Sequence, residues 1–191
     1  MTPEVDVDVL VEKAKDGTLK DGEIRRVAEV LSTTPPPDEV YRLLYVIARS
    51  RAQSYERLVP GFLWHREDPT VARLALQTLC AFWGKGEQYL HELRLFVKGV
   101  DWDSDDDVKG VAVSAAGELL RKITDCELLN SLIDEATSFD DDVNRRVAIE
   151  ALARALGDSY EAMASFEPFT KSQWEDRVVK RAEARRAKEC G

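Results

Sequence analysis

The residues best equipped for chemistry stand in one short run, Asp101-Trp102-Asp103-Ser104-Asp105-Asp106-Asp107. Carboxylates at alternate positions are how a calcium loop opens, but such a loop also needs Gly at its sixth position and Glu at its twelfth. Here those positions hold Asp106 and Ala112, so the match fails. The ordinary reading is that these Asp residues precede a helix, cap its free amides and face the positive end of its dipole. A weak divalent-cation site is the other reading. Catalysis finds little support. His65 and His91 stand beside no Cys or Ser nucleophile motif, and HExxH, GxSxG, GxGxxG and GxxxxGK[ST] are absent. Gly84-Lys85-Gly86 reads as a helix-breaking turn, not a phosphate loop. Trp64, Phe82, Trp83 and Phe96 fall at helical core spacing and read as packing rather than a ligand cage. No enzymatic activity, metal or cofactor is expected.

Acidic turns recur. Asp38 and Glu39, then Glu67 and Asp68, then Asp101, Asp103, Asp105, Asp106 and Asp107, then Asp140, Asp141 and Asp142 each lead into an apolar helical stretch. Two readings stay open. Each group caps its own helix in water, or together they form an acidic ridge that steers a cationic partner. Cations follow at Arg42, Arg73, Lys109, Arg145 and Arg146.

The chain has 191 residues, with 36 Asp and Glu against 27 Lys and Arg, and a net charge of -9. That length suits one domain or one short repeat array. The charge argues against a broad nucleic-acid-binding face, which needs clustered cations, and favours a basic partner. The stretch 171–191 carries seven Lys and Arg against four acids, and it reads as a solvated capping helix that fits the acidic body. No apolar run approaches the 18 residues of a membrane span. The opening residues carry neither a basic nor an apolar signal region, so no secretory signal is expected. Cys80, Cys126 and Cys190 are odd in number and lack a CxxC spacing. They read as reduced thiols of a cytoplasmic protein, Cys80 and Cys126 on apolar helix faces and Cys190 in a frayed tail.

What positions these groups is a repeat. Three segments align on Ala75, Ala112 and Ala148, which are 37 and 36 residues apart. Seven residues before each anchor stands Asp68, Asp105 or Asp141, and Leu74, Val111 or Val147 stands one before. Leu79, Ala116 or Leu152 stands four after, and Trp83, Leu120 or Leu156 eight after. These offsets trace one stripe of a 3.6-residue helix. A weaker copy contains Asp38, Glu39, Val40, Leu43, Leu44 and Ala48. Shorter helices are expected between them, over about 55–65, with Pro60 kinking or shortening the first, and over 87–97 and 127–137. Residues 5–31 read as an N-terminal cap of one or two helices, with Val9, Leu10, Ala14, Ile24, Val27, Ala28 and Leu31 facing inward. Trp174, Val178 and Ala182, spaced by four, dock a C-terminal capping helix on the last repeat.

The pattern Asp-x-x-Val-(Arg/Lys)-x-x-Ala, followed by a Leu/Ala face and closed by Leu156-Gly157, resembles the second helix of a HEAT repeat, closest to the short bacterial HEAT-like repeats. Asp107-Val108-Lys109-Gly110-Val111-Ala112 and Val147 to Gly157 carry most of the likeness, which covers about residues 38–157. The last copy departs from it by one extra residue between Val143 and Val147. The resemblance implies an all-α, right-handed solenoid of about four helix hairpins within a single domain. Residues 1–37 would form the N-terminal cap, 38–157 the repeats, and 158–191 the C-terminal capping helix and basic tail. One hairpin cannot hide its own apolar stripe, and stacked hairpins bury a continuous seam.

The resemblance also ranks functions. First comes a non-catalytic protein-binding module, an inhibitor or immunity protein that neutralises a basic partner such as a toxin. The partner-binding surface would be the ridge of Glu67, Asp68, Asp101, Asp103, Asp105, Asp106, Asp107, Asp140, Asp141 and Asp142. The alternatives are a scaffold of phycobilin-lyase-like type holding a chromophore or small ligand, and a general protein-interaction adaptor. HEAT-like DNA glycosylases need a cationic concave face, and the charge of this chain counts against that reading.

Overall fold

A computed structural model describes residues 6–33, 35–138, 142–158 and 168–191. Among these the regular structure is helical, with no strand. The chain divides into two compact units, Met1–Lys85 and Gly86–Gly191. That division falls inside the stretch of repeats.

The first unit opens with α1 (Val7–Asp16), α2 (Asp21–Leu31) and α3 (Pro37–Arg49). Asp6 caps α1 by accepting from the Val9 amide, and Gly17 ends it in a left-handed conformation (φ 68°) that L side chains rarely adopt. Leu10 and Ala14 face the core as expected, with Val27, Ala28 and Leu31 from α2, but Val9 lies at the surface. Pro37 starts α3 at the one turn where a missing amide costs nothing. The α3 residues Val40, Leu43, Leu44, Val46, Ile47 and Ala48 are buried, and the helix packs on α1 and α2.

The helix expected over 55–65 is a 3-10 stretch, Gln53–Phe62. The cause is Pro60, which has no amide and whose ring collides with the carbonyl one α-turn back. Bonds of the shorter 3-10 span replace the ladder, as from the Leu63 amide to the Pro60 carbonyl at 3.1 Å.

α4 (Pro69–Gln77) begins at its expected cap. Asp68 accepts from the Thr70 amide at 2.9 Å and from the Thr70 hydroxyl at 2.6 Å. The helix then runs into a π-helical turn, Thr78–Phe82. The wider turn shifts the side chains that follow around the axis. Trp83 enters the core, while Phe82 is 41% exposed. Trp64 is also at the surface, 42% exposed, so the expectation of four packed aromatics holds for Trp83 and Phe96 and fails for Trp64 and Phe82.

The second unit contains a short 3-10 turn (Gly86–Tyr89), α5 (Leu90–Phe96), α6 (Asp107–Leu120), α7 (Cys126–Thr137), α8 (Asp142–Ala155) and α9 (Pro168–Glu189). α5 packs on α6 and α7 on α8, and the two pairs join chiefly through α6 against α8. Both repeat anchors here, Ala112 and Ala148, are fully buried. Around them lie Val108, Ala116 and Leu120 from α6, Leu128 and Leu132 from α7, and Ala151 and Leu152 from α8. The closest approach is at Gly117. A Cβ there would stand 2.5 Å from the Ala151 carbonyl oxygen and 2.8 Å from its Cα. Val143, at the extra residue of the last repeat, is 65% exposed and lies off the stripe.

α9 docks on α7 and α8 through Trp174, Val178 and Ala182, all buried, as their spacing predicts. Its cations do more than face an acidic body. Arg185 donates to the carbonyls of Leu120 at 2.9 Å, Ala155 at 3.1 Å and Ile123 at 3.5 Å. The Leu120 and Ala155 oxygens stand at the ends of α6 and α8, where a guanidinium also suits the negative dipole end. Arg181 adds two bonds to Asp158 and one to the Leu156 carbonyl.

Candidate functional site

Among the described residues, the acidic groups of the sequence include both helix caps and exposed carboxylates. In the first unit, Asp38 and Glu39 stand in the first turn of α3, where the dipole favours them. Asp68 caps α4, and Glu67 beside it is exposed.

In the second unit the run 101–107 sorts its five carboxylates by geometry. Asp103 is 4% exposed, and its Oδ2 accepts from the amides of Val108 at 2.9 Å and Lys109 at 3.0 Å. This binds two of the free amides that open α6. Its Oδ1 is buried without a hydrogen-bond partner. Asp106 adopts a left-handed conformation, φ 55°, and its Oδ2 accepts from the Asn144 amide group at 2.6 Å. That bond ties one repeat to the next. Asp107 is the first residue of α6. Asp105, the counterpart of the capping Asp68, does not cap its helix. It and Asp101 are exposed, and among the described residues neither carboxylate has a hydrogen bond or ion pair. Asp103, a member of the expected partner-binding ridge, is therefore a structural cap. Asp140 and Asp141 lie outside the described residues, as does the side chain of Asp142.

The cations that follow the acidic turns pair mostly with acids elsewhere in the chain. Arg42 pairs with Asp8. Lys109 bonds Glu135 at 3.0 Å, joining α6 to α7. Arg145 meets Glu175 at 3.3 Å, joining α8 to α9, and Arg146 faces Glu150 on its own helix at 3.9 Å.

One polar cluster escaped the sequence reading. Asp125 is buried at the start of α7, accepts from the Leu128 amide at 2.9 Å, and pairs with Arg94 of α5. Glu127 accepts from Lys98 at 2.6 Å and lies 3.4 Å from Arg94. Burial opposes the Asp125 charge, but the Arg94 and Leu128 hydrogen bonds outweigh it and hold its pKa below the usual carboxylate value. The Lys98 bond lowers that of Glu127. Asp125 followed by an apolar helix is a legible capping signal, whereas a partner 31 residues away is not. A depressed folded-state pKa means stability that is present above the ordinary carboxyl value, about 4, and lost as pH falls through the lower one. Asp125→Ala should therefore cost about 1–2 kcal/mol at neutral pH, most of it the lost cap. Denaturation measured from pH 7 to pH 2 should show the gap to wild type closing below about pH 4. A gap that does not change with pH would mean that the charge plays no part.

The histidines and cysteines divide differently. His65 Nδ1 accepts from the Asp68 amide at 3.2 Å, which shapes the turn before α4, and His91 is exposed. Cys80 takes no part in a disulfide. Cys126 and Cys190 are joined in a disulfide, with Cα atoms 5.7 Å apart. This corrects the expectation of three reduced thiols and removes the cysteine argument for a reducing compartment. The pairing follows from α9, which brings the end of the chain to the first residue of α7.

Among the described residues, no group of three or more His, Cys, Asp or Glu side chains converges as a metal site. No helix among them is long and apolar enough to cross a membrane. A groove of about 400 Å³ lies between α7, α8 and α9, lined by Thr137, Arg145, Asp176, Lys180 and Glu183. A cavity of about 210 Å³ in the first unit is lined by Ala48, Arg49, Arg51, Ala81 and Phe82. Comparison with family models, with curated proteins and with solved structures gave no match.

Proposed function

We propose that the protein is a non-catalytic protein-binding module of HEAT-like type, an inhibitor or immunity protein that neutralises a basic partner such as a toxin. The finer architecture of this proposal is a right-handed solenoid of about four hairpins. The observation that carries it is the pair Asp101 and Asp105, exposed and, among the described residues, without partners, on a loop whose other geometry is fixed by Asp103 and Asp106. Free carboxylates held on a rigid turn cost little ordering on contact and set up a field that a cationic surface feels at a distance. The net charge of -9 adds to that field.

The test is the association rate with a purified basic nuclease, whose cleavage of nucleic acid also reports neutralisation. Wild-type association should slow as ionic strength rises from 20 to 200 mM, by about tenfold or more. Asp101→Lys combined with Asp105→Lys should slow it by about as much at low salt, with a smaller change in dissociation. Equal rates for the two proteins at every salt concentration would show that this loop is not the contact. A nuclease left fully active by saturating protein would contradict the inhibitor reading.

A further inference from the structure

The end of α9 is fastened differently from its middle. Its buried side chains stop at Ala182, and from Glu183 to Cys190 none is buried. Those last two turns are held by polar contacts: Arg185 donates to the carbonyls of Leu120, Ile123 and Ala155, and Glu189 accepts from the Thr124 hydroxyl at 3.1 Å while pairing with Arg185 within the helix at 2.9 Å. The remaining fastening is the covalent bond from Cys190 to Cys126. Both cysteines are half-buried rather than enclosed in the core, the partial exposure that exchange with a thiol in solution needs.

We propose that Cys126–Cys190 is a reversible thiol–disulfide exchange site, and that its state controls whether the last two turns of α9 stay latched over the ends of α6 and α8. The co-reactant is a dithiol. One of its thiolates attacks Cys190 Sγ, forms a mixed disulfide and displaces the Cys126 thiolate. That leaving group sits at the first residue of α7, where the positive end of the helix dipole favours an anion. The second thiolate of the reductant then attacks its own sulfur in the mixed disulfide and releases the Cys190 thiolate. The dithiol becomes an internal disulfide, two electrons pass to the cysteine pair, and the two protons lost by the dithiol end on the two cysteine sulfurs.

Opening the bond leaves Trp174, Val178 and Ala182 in place but removes the covalent tether beyond them. Arg185 then spends part of its time off the carbonyls that it caps. The region that changes is the end of α9 with the ends of α6 and α8, and this inference does not depend on the identity of any partner.

The experiment is amide hydrogen exchange on the full chain carrying Cys80→Ser, in three states: untreated, reduced with dithiothreitol, and reoxidised with oxidised glutathione. Thiol alkylation and intact mass count the free cysteines in each. The expected result is no free thiol when untreated and two after reduction. On reduction, amides 184–190 should exchange at least about tenfold faster, while amides 174–182 change less than about twofold. Reoxidation should restore both readings, and Cys190→Ser should match the reduced state. Two free thiols in untreated, air-purified protein would overturn the proposal. So would exchange at 184–190 unaffected by reduction, or a bond that does not reform.

Discussion

Gly117→Ala destabilises the protein by about 1–3 kcal/mol, and Gly117→Val by more. The sign of the first change is informative. In the interior of a helix, alanine is better than glycine by about 1 kcal/mol, so propensity alone makes the substitution stabilising. Packing reverses it. The new Cβ would stand 2.5 Å from the Ala151 carbonyl oxygen and 2.9 Å from the carbonyl carbon. These are backbone atoms of α8, so no rotamer change relieves the contact and the two helices must separate. Separation weakens the burial of Ala112, Ala116, Ala148 and Leu152, which lie fully buried on α6 and α8. Gly110→Ala on the same helix is the control. Nothing lies within 4 Å of its added Cβ, so it should raise stability or leave it unchanged. Urea denaturation of the three proteins decides it. A stabilised Gly117→Ala would mean that α6 and α8 do not approach as described.

Opening the Cys126–Cys190 bond lowers stability against denaturant by about 4 kcal/mol. The bond closes a loop of 64 residues, and chain entropy over that length predicts a loss of this size. The effect acts through the unfolded chain, which regains freedom, so it adds to any loosening of folded α9. Cys126→Ser and Cys190→Ser should lose the same amount, and reductant should lower the wild-type midpoint to meet theirs. Cys80→Ser should retain the sensitivity to reductant, since Cys80 is not part of the disulfide. A wild-type midpoint indifferent to reductant would deny the bond its role in stability.

The parts of this structure that could be read from sequence are those set by local period. Ala75, Ala112 and Ala148 each stand on a helix with the predicted face inward, because a 3.6-residue stripe of apolar residues has few other ways to be buried. Trp174, Val178 and Ala182 follow the same rule. Pro60 announced an interruption, although not that a 3-10 stretch would fill it. What stayed hidden depends on dihedral angles or on distant returns of the chain. Residues 78–82 would suit an α-helix, so nothing local announces the π-helical turn that turns Phe82 outward. The left-handed Asp106 is equally silent, yet Asp103 caps α6 in this turn while Asp105, at the repeat's capping position, remains free. Cys126 and Cys190 become neighbours only because α9 folds back over α7 and α8. The sequence reading named the run 101–107 as part of the candidate surface. It could not separate the two free carboxylates, Asp101 and Asp105, from Asp103, which the helix consumes.

The central claim is that helix hairpins of the second unit lie side by side and share one apolar seam, with α6 pressed on α8. The nuclear Overhauser contact between the α-protons of Gly117 and Ala151 tests it most directly. The position of a Cβ on Gly117, 2.8 Å from the Ala151 Cα, predicts a strong cross-peak between residues 34 positions apart. Sharp, assigned resonances for both residues with no cross-peak between them would contradict the stack and the position it gives to the acidic loop.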